Sequence, residues 1–179
     1  MPESLDSLIR SKEYEYNLPS GLLFGLVRTE SGFNPNAYNE TTGASGLTQI
    51  IPKYHPTVKN VFDPAENLDY AAKTLKYYAG KFGSYQAAVA AWHSGEGRVQ
   101  KNLDNGGDGI PGTKDSVTGI STRNYVSSVL RGIDSSESDL PLTGGVANDL
   151  QSRPFNRRSL AIVGLGLVLL GAFVLAAKP

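Results

Sequence analysis

Leu160 to Ala177 reads LAIVGLGLVLLGAFVLAA, eighteen residues without a charge. As a helix this run spans about 27 Å, close to the roughly 30 Å hydrocarbon core of a bilayer. A helix buried in a soluble core usually keeps a polar stripe, and none interrupts this one. Residues 159–178 are therefore expected to form a transmembrane anchor. Arg153, Arg157 and Arg158 precede it and Lys178 follows. The positive-inside rule then favours a cytoplasmic N-terminal side.

The anchor confines any globular domain to the part before it. Asp134 to Asn156 (DSSESDLPLTGGVANDLQSRPFN) is rich in Ser, Asp, Gly and Pro. Such a stretch buries too little apolar surface to offset its chain entropy. Residues 134–158 are expected to be a flexible linker, and residues 1–133 a single domain. Leu140-Pro141-Leu142-Thr143-Gly144 fits a sortase pattern, but three arginines separate it from the apolar run. Met1 to Arg10 lacks the basic start and apolar stretch of a secretory signal. The absence of cysteine excludes disulfides, thiolate catalysis and cysteine metal sites. A formal net charge of zero provides no global field for nucleic acid, so none is expected as a partner.

Helix signals dominate residues 1–133. Leu5, Leu8 and Ile9 form one face of a first helix, which Tyr16 extends. Pro19 and Ser20 open a second, to about Ser31. Asp63-Pro64-Ala65-Glu66 has the form of a capping box with proline at the first helical position. It starts a helix expected to end near Gly80. Ser84 starts an alanine-rich helix through Gln86 to His93, closed by Gly95. Thr122 starts a last one, with Val126, Val129, Leu130 and Ile133 on its apolar side. Glu96 to Ser121 is expected to be a long loop, because it holds six glycines and a proline. Strand signals are few, so the fold class is mainly α.

Glu30 ends the apolar helix GLLFGLVRTES. Leu23, Leu26, Val27 and Glu30 share one face by their spacing. Two positions fit that pattern: the edge of the core, or a helix end turned to water. At the core's edge, burial would raise the carboxyl pKa towards the range of a general acid.

The surroundings of Glu30 decide between them. Glu30-Ser31-Gly32-Phe33-Asn34-Pro35 is followed by Gly43-Ala44-Ser45-Gly46-Leu47-Thr48-Gln49-Ile50 and Pro52. Then come Asn67-Leu68, Ala90-Ala91-Trp92-His93-Ser94-Gly95 and Thr122-Arg123-Asn124-Tyr125-Val126. This ordered series resembles the lytic transglycosylases of the soluble-lytic-transglycosylase type, over roughly Leu18 to Leu130. The resemblance implies a lysozyme-like fold and cleavage of peptidoglycan glycan strands, with no metal or other cofactor.

It also implies roles. Glu30 matches the family's catalytic acid and base. Ser45 and Gln49 match the segment lining the saccharide groove; by residue type alone they also suit a turn and a solvated helix position. Tyr125 matches a tyrosine near the catalytic carboxyl, or else packs in the core. The family commonly reads Ala-Tyr-Asn-Ala-Gly where this chain has Ala91-Trp92-His93-Ser94-Gly95. Trp92 keeps an aromatic wall for a sugar ring without the hydroxyl. His93, when neutral, can donate and accept as asparagine does; it equally suits a structural place at a helix end.

Mechanism turns on counting carboxylates. Most glycosidases use two across the scissile bond. After Glu30 only Glu40, in a polar loop, precedes Asp63. A one-carboxylate mechanism giving 1,6-anhydromuramoyl ends is expected, as the resemblance implies. The alternatives are a hydrolytic muramidase using Glu40 or Asp63, and a peptidoglycan-binding structural protein without turnover. Asp104-Asn105-Gly106-Gly107-Asp108-Gly109, with Asp115 in the twelfth place, is a poor calcium loop, since Gly106 replaces a ligand. An anchored wall-cutting enzyme without an export signal fits a phage virion. It would sit in the virion's internal membrane, beside vertex proteins, and act on the periplasmic cell wall during infection.

Overall fold

Six helices carry residues 3–115 and 118–136, which the structure, a computed structural model, describes. They are α1 (Leu5–Glu15), α2 (Leu22–Ser31), α3 (Pro64–Phe82), α4 (Tyr85–Ser94), α5 (Glu96–Asp104) and α6 (Thr122–Ser136). A 3-10 turn covers Pro52–Tyr54, and the described β structure consists of isolated bridges. The mainly α expectation agrees with this. Among the described residues no helix is long and apolar enough to cross a membrane. The anchor expected at 159–178 lies outside the described residues. So does the linker, apart from residues 134–136, over which α6 continues.

Side-chain caps start three helices, two of them, at Asp63 and Ser84, where the sequence puts them. Ser4, Asp63 and Ser84 accept from the backbone N–H groups of Ser7, Glu66 and Ala87. The reciprocal half of the capping box is not made. The Glu66 carboxylate instead accepts from the N–H groups of Lys59 and Asn60, at 2.6 and 3.0 Å. It thereby holds the end of the preceding loop.

α2 has no cap of its own, and Glu13 of α1 supplies one. Its carboxylate accepts from the N–H groups of Gly21, Leu23 and Phe24 at 2.8–3.1 Å. Burial pushes the Glu13 pKa up, and these three donors oppose the rise.

Two expectations need correction. Gly80 lies inside α3, which continues until buried Phe82 has joined the core; Gly83, at φ 78°, then ends it. Glu96–Asp104 is a helix rather than the start of a long loop. Val99 and Leu103, one turn apart, both face the core, and a short amphipathic stripe outweighs one glycine at its start.

The core forms around α2, whose Leu22, Leu23, Leu26 and Val27 are fully buried. Each stabilises the fold by about 1.5–3 kcal/mol. α2 and α6 run antiparallel, and glycines let them approach. A Cβ on Gly25 would fall 1.9 Å from the Val129 carbonyl oxygen. One on Gly132 would fall 2.4 Å from the Gly21 oxygen and 2.5 Å from the Gly25 Cα. Arg28 adds a hydrogen bond across the seam to the Ser128 carbonyl, at 3.2 Å. This contact brings the end of α2 to the start of α6.

Candidate active site

Glu30 occupies the last turn of α2, and α4 and α6 bring their side chains to it. The Tyr125 hydroxyl and the Trp92 Nε1–H both donate to Glu30 Oε1, the latter at 3.2 Å. Oε2 has no hydrogen-bond partner among the described residues, and no partnerless polar atom there is sealed from solvent. The carboxyl group is thus clamped at one oxygen and open at the other.

Glu30 is partly exposed, yet protein crowds its carboxyl group. Burial raises its pKa from 4.5 to about 7. The Tyr125 and Trp92 bonds pull it down, and the negative charge of Asp115 adds to the rise. Near neutral pH such a group can both give and take a proton. Burial and the facing Glu30 keep Tyr125 a neutral phenol, so its donation to Oε1 is maintained.

His93 lies against this pair. Its ring stacks on Tyr125, with centroids 4.2 Å apart and 17° between planes. Burial lowers its pKa, while Asp115 and the Ile120 backbone pull the other way. His93 is therefore chiefly neutral at pH 7. On the other side, Trp92 packs against Tyr70 at 6.5 Å, and the Tyr70 hydroxyl meets His55 Nδ1.

Of the residues singled out in the sequence, Glu30, Trp92, His93 and Tyr125 thus form one connected group. Ser45 and Gln49 stand apart, making no hydrogen bond to that group. Ser45 is 2% exposed, and its hydroxyl donates to the Gly43 carbonyl at 3.0 Å. It bridges Tyr38 and Ile50, which fixes the turn beside Gly46. Gln49 is half-buried and left-handed, at φ 53°, a conformation uncommon outside glycine. Its Nε2 donates to the Gly46 carbonyl at 3.1 Å, and Oε1 has no hydrogen-bond partner among the described residues.

Asn67 of α3 holds that turn in place. Its Oδ1 accepts from the backbone and hydroxyl of Thr48, and its Nδ2 donates to the Val61 carbonyl. Gly46 has no room for a side chain: a Cβ there would lie 2.1 Å from the Val61 oxygen.

Asp115 is the residue that sequence reasoning missed as part of this site. In the sequence it stands out only as the twelfth place of a poor calcium loop. Among the described residues no three His, Cys, Asp or Glu side chains gather to hold a metal. Asp115 instead lines the cleft beside His93, with Oδ1 accepting from Thr118 N and Oγ1 at 2.7 and 2.9 Å. Glu40 is exposed, and Asp63 caps α3. Asp115 is the carboxylate whose charge acts on Glu30. No local pattern announces Asp115, because a loop 85 positions along the chain delivers it.

Residues 7–110 match the family described as "Transglycosylase SLT domain". A transglycosylase of Enterobacteria phage PRD1 is 31% identical over 105 residues, which cover 50% of this chain and 39% of that protein. The membrane-bound lytic murein transglycosylase C of Mannheimia succiniciproducens is 30% identical over 120 residues, covering 55% of this chain and 33% of the relative. The crystal structure of the 70 kDa soluble lytic transglycosylase of Escherichia coli superposes with a TM-score of 0.57 at 26% identity. That match covers 74% of this chain and 24% of the larger one. The chain thus spans well under half the length of each. The motifs from Glu30 to Gly95 fall inside the matched region, and the chain belongs to the Transglycosylase SLT domain family.

Proposed function

We propose that this protein is a peptidoglycan lytic transglycosylase with Glu30 as its single acid and base. The observation that carries the reading is the Glu30 carboxyl group, held at Oε1 by Tyr125 and Trp92, with its pKa raised by burial to about 7. Protonated Glu30 would give its Oε2 proton to the glycosidic oxygen between N-acetylmuramic acid and N-acetylglucosamine. The C1–O bond breaks, and the glucosamine side leaves as an alcohol. The carboxylate left behind would take the proton from the muramoyl C6 hydroxyl. That oxygen closes on C1, forming a 1,6-anhydro ring without water. Glu30 ends the cycle protonated as it began, so the balance needs no cofactor. Trp92 and Tyr125 hold the acid in place, and His93 keeps the Tyr125 ring in register. Gln49 Oε1 would accept from a sugar hydroxyl or amide.

One observation favours a second reading. Asp115 brings a second negative charge to the neighbourhood of Glu30, and two carboxylates suit a hydrolytic muramidase that positions water. Mass spectrometry of products from purified peptidoglycan, wild type beside Glu30→Gln, separates the two. Anhydromuramoyl ends from wild type alone support the transglycosylase. Reducing muramic acid ends would support the muramidase, and intact strands with wild type would leave a binding protein.

The same proposal includes a site of action. The apolar run 160–177 would anchor the enzyme in a virion membrane, for local opening of the cell wall as a phage infects. The phage transglycosylase among its relatives and the arginines before the run support this. Repeated absence of the protein from purified particles would refute it.

A further inference from the structure

A cleft of about 250 Å³ is lined by His93, Ser94, Arg98, Thr113, Lys114 and Asp115. It adjoins the group around Glu30 through the His93 ring, which stacks on Tyr125. The neutral hydroxyls of this cleft are already used. Ser94 Oγ donates to the Ala90 carbonyl at 2.7 Å, and the Thr113 and Thr122 hydroxyls bond each other at 2.9 Å. The cations differ. Arg98 commits Nη1 to the Ser94 carbonyl at 2.8 Å, which orients the guanidinium and leaves its other N–H donors over. Lys114 is exposed, and neither cation forms an ion pair among the described residues.

With His93 chiefly neutral, the charges are two positive against the one negative of Asp115. A pocket whose remaining donors are a fixed guanidinium and an ammonium selects a carboxylate, because charge-assisted bonds to it are stronger than those to neutral acceptors. A glycan strand carries no carboxylate on its glucosamine units. It carries them only on the substituent of muramic acid, as the lactyl group or as the stem peptide attached there. We propose that Arg98 and Lys114 form a subsite for a carboxylate of the muramoyl substituent, next to the bond cut at Glu30. This rests on the peptidoglycan reading above.

Binding tests it without turnover. The disaccharide in which glucosamine precedes muramic acid, bearing its stem peptide, lacks the bond to be cut. Trp92, the only tryptophan, reports its arrival by fluorescence. The probes are this muropeptide, the same with every carboxyl group amidated, and the disaccharide with a free lactyl carboxylate, against full-length protein. Lys114→Gln should raise Kd for the native muropeptide about tenfold or more, the scale of one charge-assisted bond. Amidation removes the partner of both Arg98 and Lys114, so it should weaken wild-type binding at least as much, and Lys114→Gln should then cost little further against the amidated ligand. Arg98→Lys, which keeps the charge but not the fork, should lose less than Arg98→Gln. Loss retained with the lactyl ligand assigns that carboxylate, and loss confined to the muropeptide assigns the stem. Binding indifferent to amidation, equal losses with native and amidated ligand, or no wild-type binding at millimolar ligand would each overturn the subsite. Strand cleavage by the same preparation is scored separately, so an inactive protein with carboxylate-dependent binding refutes the transglycosylase and not the subsite.

Discussion

Replacing Glu30 by glutamine should make the protein more stable as it silences it, and by an amount that depends on pH. The folded protein holds the Glu30 pKa near 7 against an ordinary value of 4.5. Between those values the folded state keeps a proton that the unfolded state has released. Stability therefore falls as pH rises through this window, and it is fully present only below the unfolded pKa. Each pKa unit is worth 1.36 kcal/mol, so the burden reaches about 3 kcal/mol above pH 7, or roughly 2 after allowing for solvent screening. Glutamine keeps the shape and carries no charge at any pH. Urea unfolding of wild type and Glu30→Gln, in one mild detergent at pH 4.5 and pH 8, gives four free energies. Glu13 also has a raised pKa, but it is common to both proteins and cancels in the difference. The variant's advantage should grow by about 2–3 kcal/mol from pH 4.5 to pH 8. Parallel stability profiles would mean that Glu30 ionises freely, and the argument for a poised acid would collapse.

Three further outcomes follow from the geometry. Tyr125→Phe removes a donor that favours the charged form of Glu30, so the alkaline limb of the kcat/KM profile should move up by about one pH unit, with a lower plateau; an unmoved limb would detach Tyr125 from the acid. Gly25→Ala sets a methyl group against the Val129 carbonyl, and thermal melting should show a loss of about 1–3 kcal/mol together with reduced turnover, since α6 carries Tyr125. Glu13→Ala leaves three N–H groups at the start of α2 without their acceptor, and should cost about 3 kcal/mol in urea unfolding; a change within 0.5 kcal/mol would show that water replaces the cap.

Local patterns in the chain were enough to locate most helices. Asp63 and Ser84 act within three residues of themselves, so their caps are visible in the sequence. The face shared by Leu23, Leu26, Val27 and Glu30 follows from helix pitch alone; that face fits both the edge of the core and a helix end turned to water, and the motifs around Glu30 favour the first. Boundaries failed where burial outweighed a local stop signal. Phe82 draws α3 past Gly80, and Val99 with Leu103 makes a helix of a glycine-flanked stretch.

The site divides along the same line. Residue type and order within the chain singled out Glu30, Trp92, His93 and Tyr125. Only the tertiary structure decided that Tyr125 and Trp92 meet at one oxygen of Glu30, because that depends on α2 and α6 closing at Gly25 and Gly132. It alone turned Ser45 inward, delivered Asp115 to the cleft, and made Glu13 the cap of a helix it does not belong to. A sequence determines what lies within a turn or two of each residue, since those distances are set by covalent geometry. The charge that Glu30 carries depends on solvent exclusion and on partners 62 and 95 positions away, and these exist only once the helices have packed.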